Sequence, residues 1–154
     1  MGQPGVDYIG VTTPFYCHDG QGKFVMHKRS KNCRDEIGTW DFGGGQVEFG
    51  ETLEQCVFRE VREEYGCKGE ITGCIPAHDI FRVQNGIKTH WLVVPFFVLV
   101  DPKHIRINEP HKVDDLDWFT LDAFPSPLHS GVQMTLAKYR NLFEEQIPHA
   151  DKMA

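Results

Sequence analysis

The alternation of apolar and polar residues predicts β-strands in the first part of the chain. Residues 8–17 and 23–28 are rich in β-branched and aromatic residues, a composition typical of strands. The run between them, 19–22 (DGQG), favours a tight turn. Residues 30–46 then lose periodicity and end in three successive glycines at 43–45, so we expect a loop there.

A helix is predicted to follow this loop, over residues 52–65. Thr52 and Gln55 have the spacing of a capping box, in which two side chains satisfy backbone N–H groups of the first turn. Gly66 is a suitable position for the helix to end. The helix carries one apolar stripe, formed by Leu53, Cys56, Val57 and Val61.

The middle of the chain predicts a β-hairpin of two long strands. Residues 70–83 and 87–100 flank Asn85-Gly86, a dipeptide that strongly favours a hairpin turn. Pro95 interrupts the second run and predicts an edge position or a bulge, because proline has no N–H group to donate to a sheet.

The last part of the chain predicts a polar loop over 101–115, a short strand over 116–121 and a final helix over 126–145. The tail from Gln146 is expected to be frayed. The buried face of the helix would hold Leu128, Val132, Leu136, Tyr139 and Phe143. Together the elements predict an α+β fold with one mixed sheet and two principal helices.

Composition and charge narrow the classes of function. The chain has 154 residues, of which 40% are hydrophobic and 25% are charged, as in an ordinary globular protein. This length predicts a single domain over residues 1–154. The net charge of −6 disfavours binding to a nucleic-acid polymer. Small anionic substrates remain compatible with it, because a bound divalent cation reverses the local charge.

Neither a membrane anchor nor an export signal is predicted. The longest apolar run, residues 91–100, has about half the length of a membrane-spanning helix and is interrupted by Pro95. The N-terminus lacks the charged start and apolar core of a signal peptide. Five cysteines without a Cys-x-x-Cys pair indicate a reduced compartment, so we expect a cytoplasmic protein.

Three carboxylates on the predicted helix are the main candidates for chemistry. The second and third of them, Glu63 and Glu64, follow Glu60 by three and four residues. All three therefore project from one side of the helix. A solvated acidic face interspersed with Arg59 and Arg62 is one explanation. The preceding glycine run favours another, since a backbone without side chains lets a ligand approach closely. Clustered carboxylates suit Mg²⁺ or Mn²⁺ bound together with a phosphate.

The spacing of these residues resembles the Nudix box. Gly45, Glu51 and the run 59–67 (REVREEYGC) match every fixed position of that motif over residues 45–67. A looser similarity extends over most of the chain, through the glycine run and residues 117–119 (DWF). The chain therefore looks like a MutT-like Nudix hydrolase. This resemblance implies an α/β/α sandwich on a mixed sheet, with the box forming a loop–helix–loop.

The resemblance also implies an activity. Nudix hydrolases cleave the diphosphate bond of a nucleoside triphosphate or a nucleoside diphosphate derivative, by attack of water at phosphorus. By position in the box, Glu60, Glu63 and Glu64 would ligate Mg²⁺, with Mn²⁺ as a substitute. Glu63 and Glu60 would also be candidates for the catalytic general base, and Arg59 would orient the carboxylates.

Other residues are expected to bind substrate or to complete the catalytic set. The backbone of Gly44 and Gly45 would approach the metal or the phosphates, and Glu51 would assist Arg59. The cations that could hold phosphates are Arg29, the first choice, and then Arg34 and Lys112. The loop acids that could replace the general base are Glu109, Asp114 and Asp115. The aromatic residues that could stack on a base are Trp40, Phe81 and Trp91.

Other functions share this pattern. A catalytically silent nucleotide-binding module would keep the fold, although it would be expected to lose one of the three glutamates. A hydrolase for coenzyme A or ADP-ribose type substrates is also compatible, because the subtype patterns match only in part. Isopentenyl diphosphate isomerisation would require a catalytic cysteine, for which the sequence gives no strong sign. The expected partner is a small nucleotide, and a homodimer is compatible with the resemblance.

Overall fold

A computed structural model describes residues 1–148, so the prediction for the end of the tail, 149–154, lies outside the described residues. Within residues 1–148 the chain forms nine strands, two α-helices and a short 3-10 turn at Leu121–Ala123. The strands are β1 (Gly10–His18), β2 (Lys23–Arg29), β3 (Trp40–Asp41), β4 (Gly43–Gln46), β5 (Gly69–Cys74), β6 (His78–Gln84), β7 (Ile87–Val93), β8 (Phe96–Val100) and β9 (Val113–Thr120). The helices are α1 (Leu53–Tyr65) and α2 (Ser130–Glu145).

The strands belong to one mixed sheet with β1 at its centre. Strand β1 pairs in parallel with β7 through residues 10–12 and with β8 through residues 15–18. On its other side it pairs antiparallel with β4, and near its end with β2. Strand β2 continues the sheet to β3 and β9. Among the described strands, β6 pairs with β7 alone and β5 with β8 alone, so both lie at edges.

Both faces of the sheet are buried, because alternate residues of β1 and β2 pack under different helices. The core on the α1 side includes Phe15, Cys17, Val25, Val57, Val61 and Tyr65. The core on the α2 side includes Tyr16, Phe24, Met26, Val132 and Phe143. This arrangement confirms the expected α/β/α sandwich on a mixed sheet.

Helix α1 begins and ends where the sequence predicts. Thr52 is the N-cap, and its hydroxyl accepts a hydrogen bond from the Gln55 N–H at 3.1 Å. In return, Gln55 Oε1 accepts one from the Thr52 N–H at 2.8 Å. Gly66 closes the helix at a φ of 66°, a left-handed conformation that glycine adopts without strain.

The glycine run forms a strand, so the prediction of a loop was wrong here. Residues 43–46 form β4 and pair in register with residues 12–15 of β1. Strand propensity disfavours glycine, but β1 supplies the backbone partners that a strand needs. The close approach of α1 to this strand, described below, is the physical reason why glycine fits.

The predicted hairpin turn is confirmed, but each of its long strands is divided in two. Residues 70–83 span parts of β5 and β6, and residues 87–100 contain β7 and β8. Pro95 lies between β7 and β8, and its carbonyl oxygen accepts a hydrogen bond from the Ile75 N–H at 3.1 Å. The second run therefore breaks where proline cannot continue the ladder, and the first run breaks beside it.

Two further boundaries differ from the prediction. Strand β9 begins at Val113, earlier than expected, and helix α2 begins at Ser130, later than expected. The His129 N–H donates to the Trp40 carbonyl oxygen at 2.9 Å, and the Trp40 N–H donates to the Pro127 carbonyl oxygen at 2.8 Å. The residues before α2 thus pair with the edge of β3 instead of joining the helix.

Within residues 1–148, no helix combines the length and the apolar character needed to cross a membrane. The five cysteines are free thiols, and three of them, Cys17, Cys56 and Cys67, are buried. The described fold is therefore held together without disulfide bonds.

Phe143 anchors α2 to the sheet and provides a test of this packing. It is fully buried, and its ring lies 4.9 Å from the ring centroids of Tyr16 and Phe97. We expect Phe143→Ala to lower the free energy of unfolding by about 3–5 kcal/mol, as measured by urea denaturation. Met134 is exposed on the same helix, and Met134→Ala should change it by less than about 0.5 kcal/mol. Equal effects of the two substitutions would contradict the placement of α2.

Candidate functional site

Helix α1 lies directly against β4, because two glycines have no side chain in the way. A Cβ atom at Gly45 would overlap the side chain of Glu60, and one at Gly43 would overlap the ring of Phe15 and the carboxylate of Glu64. The Gly44 N–H donates a hydrogen bond to Glu64 Oε2 at 3.3 Å. Two carboxylates of the helix are therefore packed on the backbone of the strand.

Arg59 joins the loop before α1 to the carboxylates on the helix. Its guanidinium donates two hydrogen bonds to the Glu51 carboxylate, at 3.0 and 2.7 Å, and one to the Gln46 carbonyl oxygen at 3.2 Å. The remaining nitrogen donates to Glu60 Oε1 at 2.8 Å and to Glu63 Oε2 at 3.3 Å. One planar cation thus donates hydrogen bonds to three carboxylates at once, and a fourth, that of Glu48, lies 3.8 Å away.

This ion pair keeps both of its members charged. Hydrogen bonds from Arg59 lower the pKa of Glu51 to about 2, and the pair raises the pKa of Arg59 above its usual value. The Glu51 side chain is only 15% exposed, so competition from water for these hydrogen bonds is limited. The contact therefore persists over the whole neutral range of pH.

Glu60 and Glu64 show the opposite behaviour. Burial raises the pKa of the Glu60 carboxyl and raises that of Glu64 well above its usual range. The neighbouring carboxylate of Glu109 adds to both shifts. Glu63 is different, because about half of its side chain is exposed (51%). The site therefore concentrates negative charge that Arg59 compensates only in part.

The three box glutamates (Glu60, Glu63 and Glu64) lie close together on α1, two of them against β4, but they do not form a closed cage of ligands in this structure. The guanidinium of Arg59 lies between Glu60 and Glu63 and contacts both. Within residues 1–148, the ligand atoms that all lie within 4.8 Å of one another belong to a different set, Asp35, Glu36 and His129. We call this set the loop clasp.

The loop clasp has a structural explanation. Glu36 accepts hydrogen bonds from the N–H and the hydroxyl of Ser130, at 2.7 and 2.9 Å, and lies 2.7 Å from His129 Nε2. Asp35 is paired with Arg29 at 2.8 Å. The clasp therefore fastens the loop before β3 to the start of α2, and its carboxylate oxygens already have donors.

Arg29, the first candidate for holding phosphates, is already paired with two carboxylates. It contacts Asp35 at 2.8 Å and Asp41 at 3.3 Å. Asp41 is largely buried, and burial raises its pKa although His129 and Arg29 act to lower it. Arg29 lines the clefts around the box, but its charge is compensated.

The polar loop before β9 brings a further carboxylate to the box. The Asn108 side-chain amide donates to the carbonyl oxygens of Arg62 and Glu63, at 3.3 and 2.9 Å, and its N–H donates to that of Glu64 at 3.2 Å. These bonds fasten the loop to the end of α1. They hold Glu109 beside Glu64, where both line a cleft of about 470 Å³.

Some of the remaining candidate residues from the sequence line the clefts around the box, and others lie elsewhere. Asp114 and Asp115 are exposed residues of β9 that line none of the described clefts around the box. Trp40 packs on the core under α2, and Phe81 is 71% exposed on the outside of the hairpin. Trp91 lines a cleft on the far side of β4. The cations Arg34 and Lys112 line the cleft of Glu109.

A cleft on the face of the sheet opposite α1 was missed by sequence reasoning. It consists of two adjoining cavities of about 270 and 380 Å³, which share Gly44, Arg82 and His129 in their walls. A single arginine in a strand and a single histidine before a helix are weak signals on their own. Asp41, two residues before the first glycine of the run, is the wall residue that the sequence pattern could have indicated.

Comparison with known proteins agrees with this geometry. The family model described as the NUDIX domain matches residues 10–139. The nucleoside triphosphatase NudI of Enterobacter sp. is 32% identical over 127 residues, which cover 76% of this chain and 87% of that protein. The NAD-capped RNA hydrolase NudC of Pseudomonas aeruginosa is 34% identical over 88 residues, 57% of this chain and 29% of that protein. The chain therefore matches less than a third of the length of that relative.

A solved structure extends the likeness to the whole fold. The MutT NUDIX hydrolase from Burkholderia pseudomallei superposes with a TM-score of 0.74 at 27% identity, covering 86% of this chain and 99% of that one. The family match begins at the first residue of β1 and reaches into α2, so it includes the sheet, the box and both helices. The chain belongs to the Nudix family.

Proposed function

We propose that the protein is a Mg²⁺-dependent pyrophosphohydrolase that cleaves the diphosphate bond of a nucleoside triphosphate or a nucleoside diphosphate derivative. Water is the attacking group, and phosphorus is the atom attacked. The observation that carries the proposal is the packing of Glu60 and Glu64 on the bare backbone of β4, with Glu63 beside them. Membership of the Nudix family supports the same class of reaction.

The donor set suits a hard divalent cation. The box glutamates supply carboxylate oxygens, which Mg²⁺ and Mn²⁺ prefer. Burial and mutual repulsion raise the pKa of Glu60 and Glu64, and a nearby cation acts in the opposite direction. Gly44 has no side chain that would keep a phosphate from its backbone. A bound cation would neutralise phosphate charge and make its water more acidic.

The chain's own residues perform the remaining tasks. Arg59 fixes the positions of Glu60 and Glu63, whose oxygens it contacts. Within residues 1–148 the carboxylate of Glu109 has no hydrogen bond, and it shares a cleft with Glu64. A free carboxylate in that place can accept the proton of the attacking water. We therefore assign the general base to Glu109, ahead of Glu63 and Glu60.

The alternatives are a catalytically silent binding module and a hydrolase for coenzyme A or ADP-ribose type substrates. The presence of all three box glutamates, together with the complete set of Arg59 contacts, favours catalysis over silent binding. The likeness to a nucleoside triphosphatase over 87% of that protein's length favours a triphosphate substrate.

We extend the proposal to the protein as a whole. Residues 1–154 would form one domain in the cytoplasm, with a small nucleotide as partner and neither a nucleic-acid polymer nor a membrane. The net charge of −6 and the free thiols support these assignments. A homodimer stays a prediction from the family resemblance.

Neutralising a box glutamate tests the metal site. Glu63 is half exposed, so Glu63→Gln should leave the fold intact. Replacing a residue that only supports a metal ligand typically lowers activity or metal affinity about 10–100-fold. We expect Glu63→Gln to lower kcat/KM and Mn²⁺ affinity by more than that. Pyrophosphate release with Mg²⁺ and calorimetric titration with Mn²⁺ measure the two effects. Glu54→Gln, in the exposed first turn of the same helix, is the control, and similar behaviour of both variants would contradict the site.

Replacing Arg59 by lysine tests its orienting role. Arg59→Lys keeps the positive charge but cannot form both bonds to Glu51 while contacting Glu60. We expect kcat/KM and Mn²⁺ affinity to fall about 10–100-fold, as for other residues that position metal ligands. Arg62→Lys, on an exposed position of the same helix, should leave both unchanged. Full activity of Arg59→Lys would show that the two-pronged contact is dispensable.

The general base is tested by Glu109→Gln. This variant should lower kcat about 10²–10⁴-fold, because proton transfer to a positioned group has that value. Its KM and its Mn²⁺ affinity should stay close to those of the wild type. Asp115→Asn, an exposed acid on the strand that follows, is the control. An unchanged kcat would return the role to Glu63 or Glu60.

A further inference from the structure

The cleft on the face of the sheet opposite α1 has an apolar floor and contains a cation without a close partner. Pro14, Ile80 and Val93 form apolar parts of the floor, on the open face of the sheet. Arg82 projects from β6 into the same cleft. Within residues 1–148 its guanidinium makes no hydrogen bond, and its salt-bridge contact, to Glu36, is 4.0 Å long.

Two other basic residues of the first cavity differ from Arg82 in this respect. Arg29 is ion-paired with two aspartates, and His129 Nε2 lies 2.7 Å from Glu36. Because carboxylates already surround these two side chains, a further anion such as phosphate would gain little attraction there. Arg34, which also has no ion pair within residues 1–148, lines the second cavity and the cleft of Glu109. The N–H groups of Arg82 are available to donate hydrogen bonds to a ligand. Its surroundings suit a neutral ligand group that carries hydrogen-bond acceptors.

The cleft communicates with the box at β4. Gly44 lines both of its cavities, and Glu64 lines the first of them as well as the cleft of Glu109. A ligand with its phosphates at the box can therefore place its organic part over the apolar floor. A planar ring suits that floor, since it buries much apolar surface with few rotatable bonds.

We propose that this cleft holds the base of the nucleotide and that Arg82 selects bases with two adjacent hydrogen-bond acceptors, guanine or cytosine. The inference rests on the proposed function, because it takes the phosphates to lie at the box. A guanidinium presents paired N–H donors, which match O6 and N7 of guanine. They match O2 and N3 of cytosine in the same way. In adenine and uracil, each acceptor either has an N–H donor beside it or has no neighbouring acceptor. These bases therefore cannot accept both hydrogen bonds of the guanidinium.

Substrate preference of the full chain tests this assignment. We would measure kcat/KM for ATP, GTP, CTP and UTP with Mg²⁺. The wild type should prefer GTP or CTP over ATP and UTP by at least about tenfold, the size of effect that a paired arginine contact provides. Arg82→Ala should remove the preference by lowering kcat/KM for the preferred nucleotide alone. Arg82→Lys should also lose it, since a lysine lacks the paired donors.

Lys88 provides the matched control, because it lies opposite Val83 on the same hairpin, in a register position that faces away from the cleft. Lys88→Ala should leave all four values unchanged. An equal loss on all four nucleotides in Arg82→Ala, or a wild-type preference for ATP or UTP, would overturn base selection by Arg82.

A binding measurement separates failure of this inference from failure of the proposed function. Nucleoside monophosphates contain no diphosphate bond, so calorimetric titration with AMP, GMP, CMP and UMP in EDTA reports on the cleft alone. If neither a nucleoside triphosphate nor a nucleoside diphosphate derivative such as ADP-ribose is hydrolysed, the proposed function fails. Tighter binding of GMP or CMP that Arg82→Ala abolishes would still support the inference, whereas equal binding of all four, or none, would overturn it.

Discussion

Helix α1 packs on the backbone of β4, and this contact requires that Gly43 and Gly45 have no Cβ atom. The contact places the side chains of Glu60 and Glu64, on the helix, against the strand. Burial and repulsion from neighbouring carboxylates raise their pKa values there. Arg59 holds part of this charge in place through its contacts with Glu51 and Glu60. The positions of Glu60 and Glu64 thus follow from one close approach between a helix and a strand.

The same strand separates two kinds of surface. On the α1 side it faces carboxylates and the loop that carries Glu109, which suits a cation and phosphates. On the opposite side, α2 covers one part of the sheet and leaves a cleft with an apolar floor. Gly44 belongs to both surfaces, since its N–H contacts Glu64 and its backbone lines the cleft. A nucleotide has the same division, with charge at one end and a planar ring at the other.

Elements with local signals could be predicted from the sequence. The capping box and Gly66 define both ends of α1, and the turn at 85–86 defines the hairpin, because each depends on neighbouring residues. The strand character of residues 43–46 could not be predicted, since it depends on pairing with β1 and on packing against α1. The late start of α2 depends likewise on bonds to β3, which is distant in sequence.

The same distinction applies to the site. The spacing within the box predicts that the three glutamates and Arg59 lie together, since all of them are on one helix. Arg29 was expected to be available for phosphates, but its partners Asp35 and Asp41 come from a loop and another strand. Arg82 and His129 meet in one cleft only through the sheet and the packing of α2, so no local pattern indicates them.

Binding of a divalent cation by the box glutamates against β4 can be observed by diffraction from crystals grown with Mn²⁺. An anomalous difference map locates manganese independently of any assumption about the ligands. One or more peaks are expected within coordination distance of Glu60, Glu63 and Glu64. A peak at the loop clasp alone, or none beside the box glutamates, would contradict binding at the box.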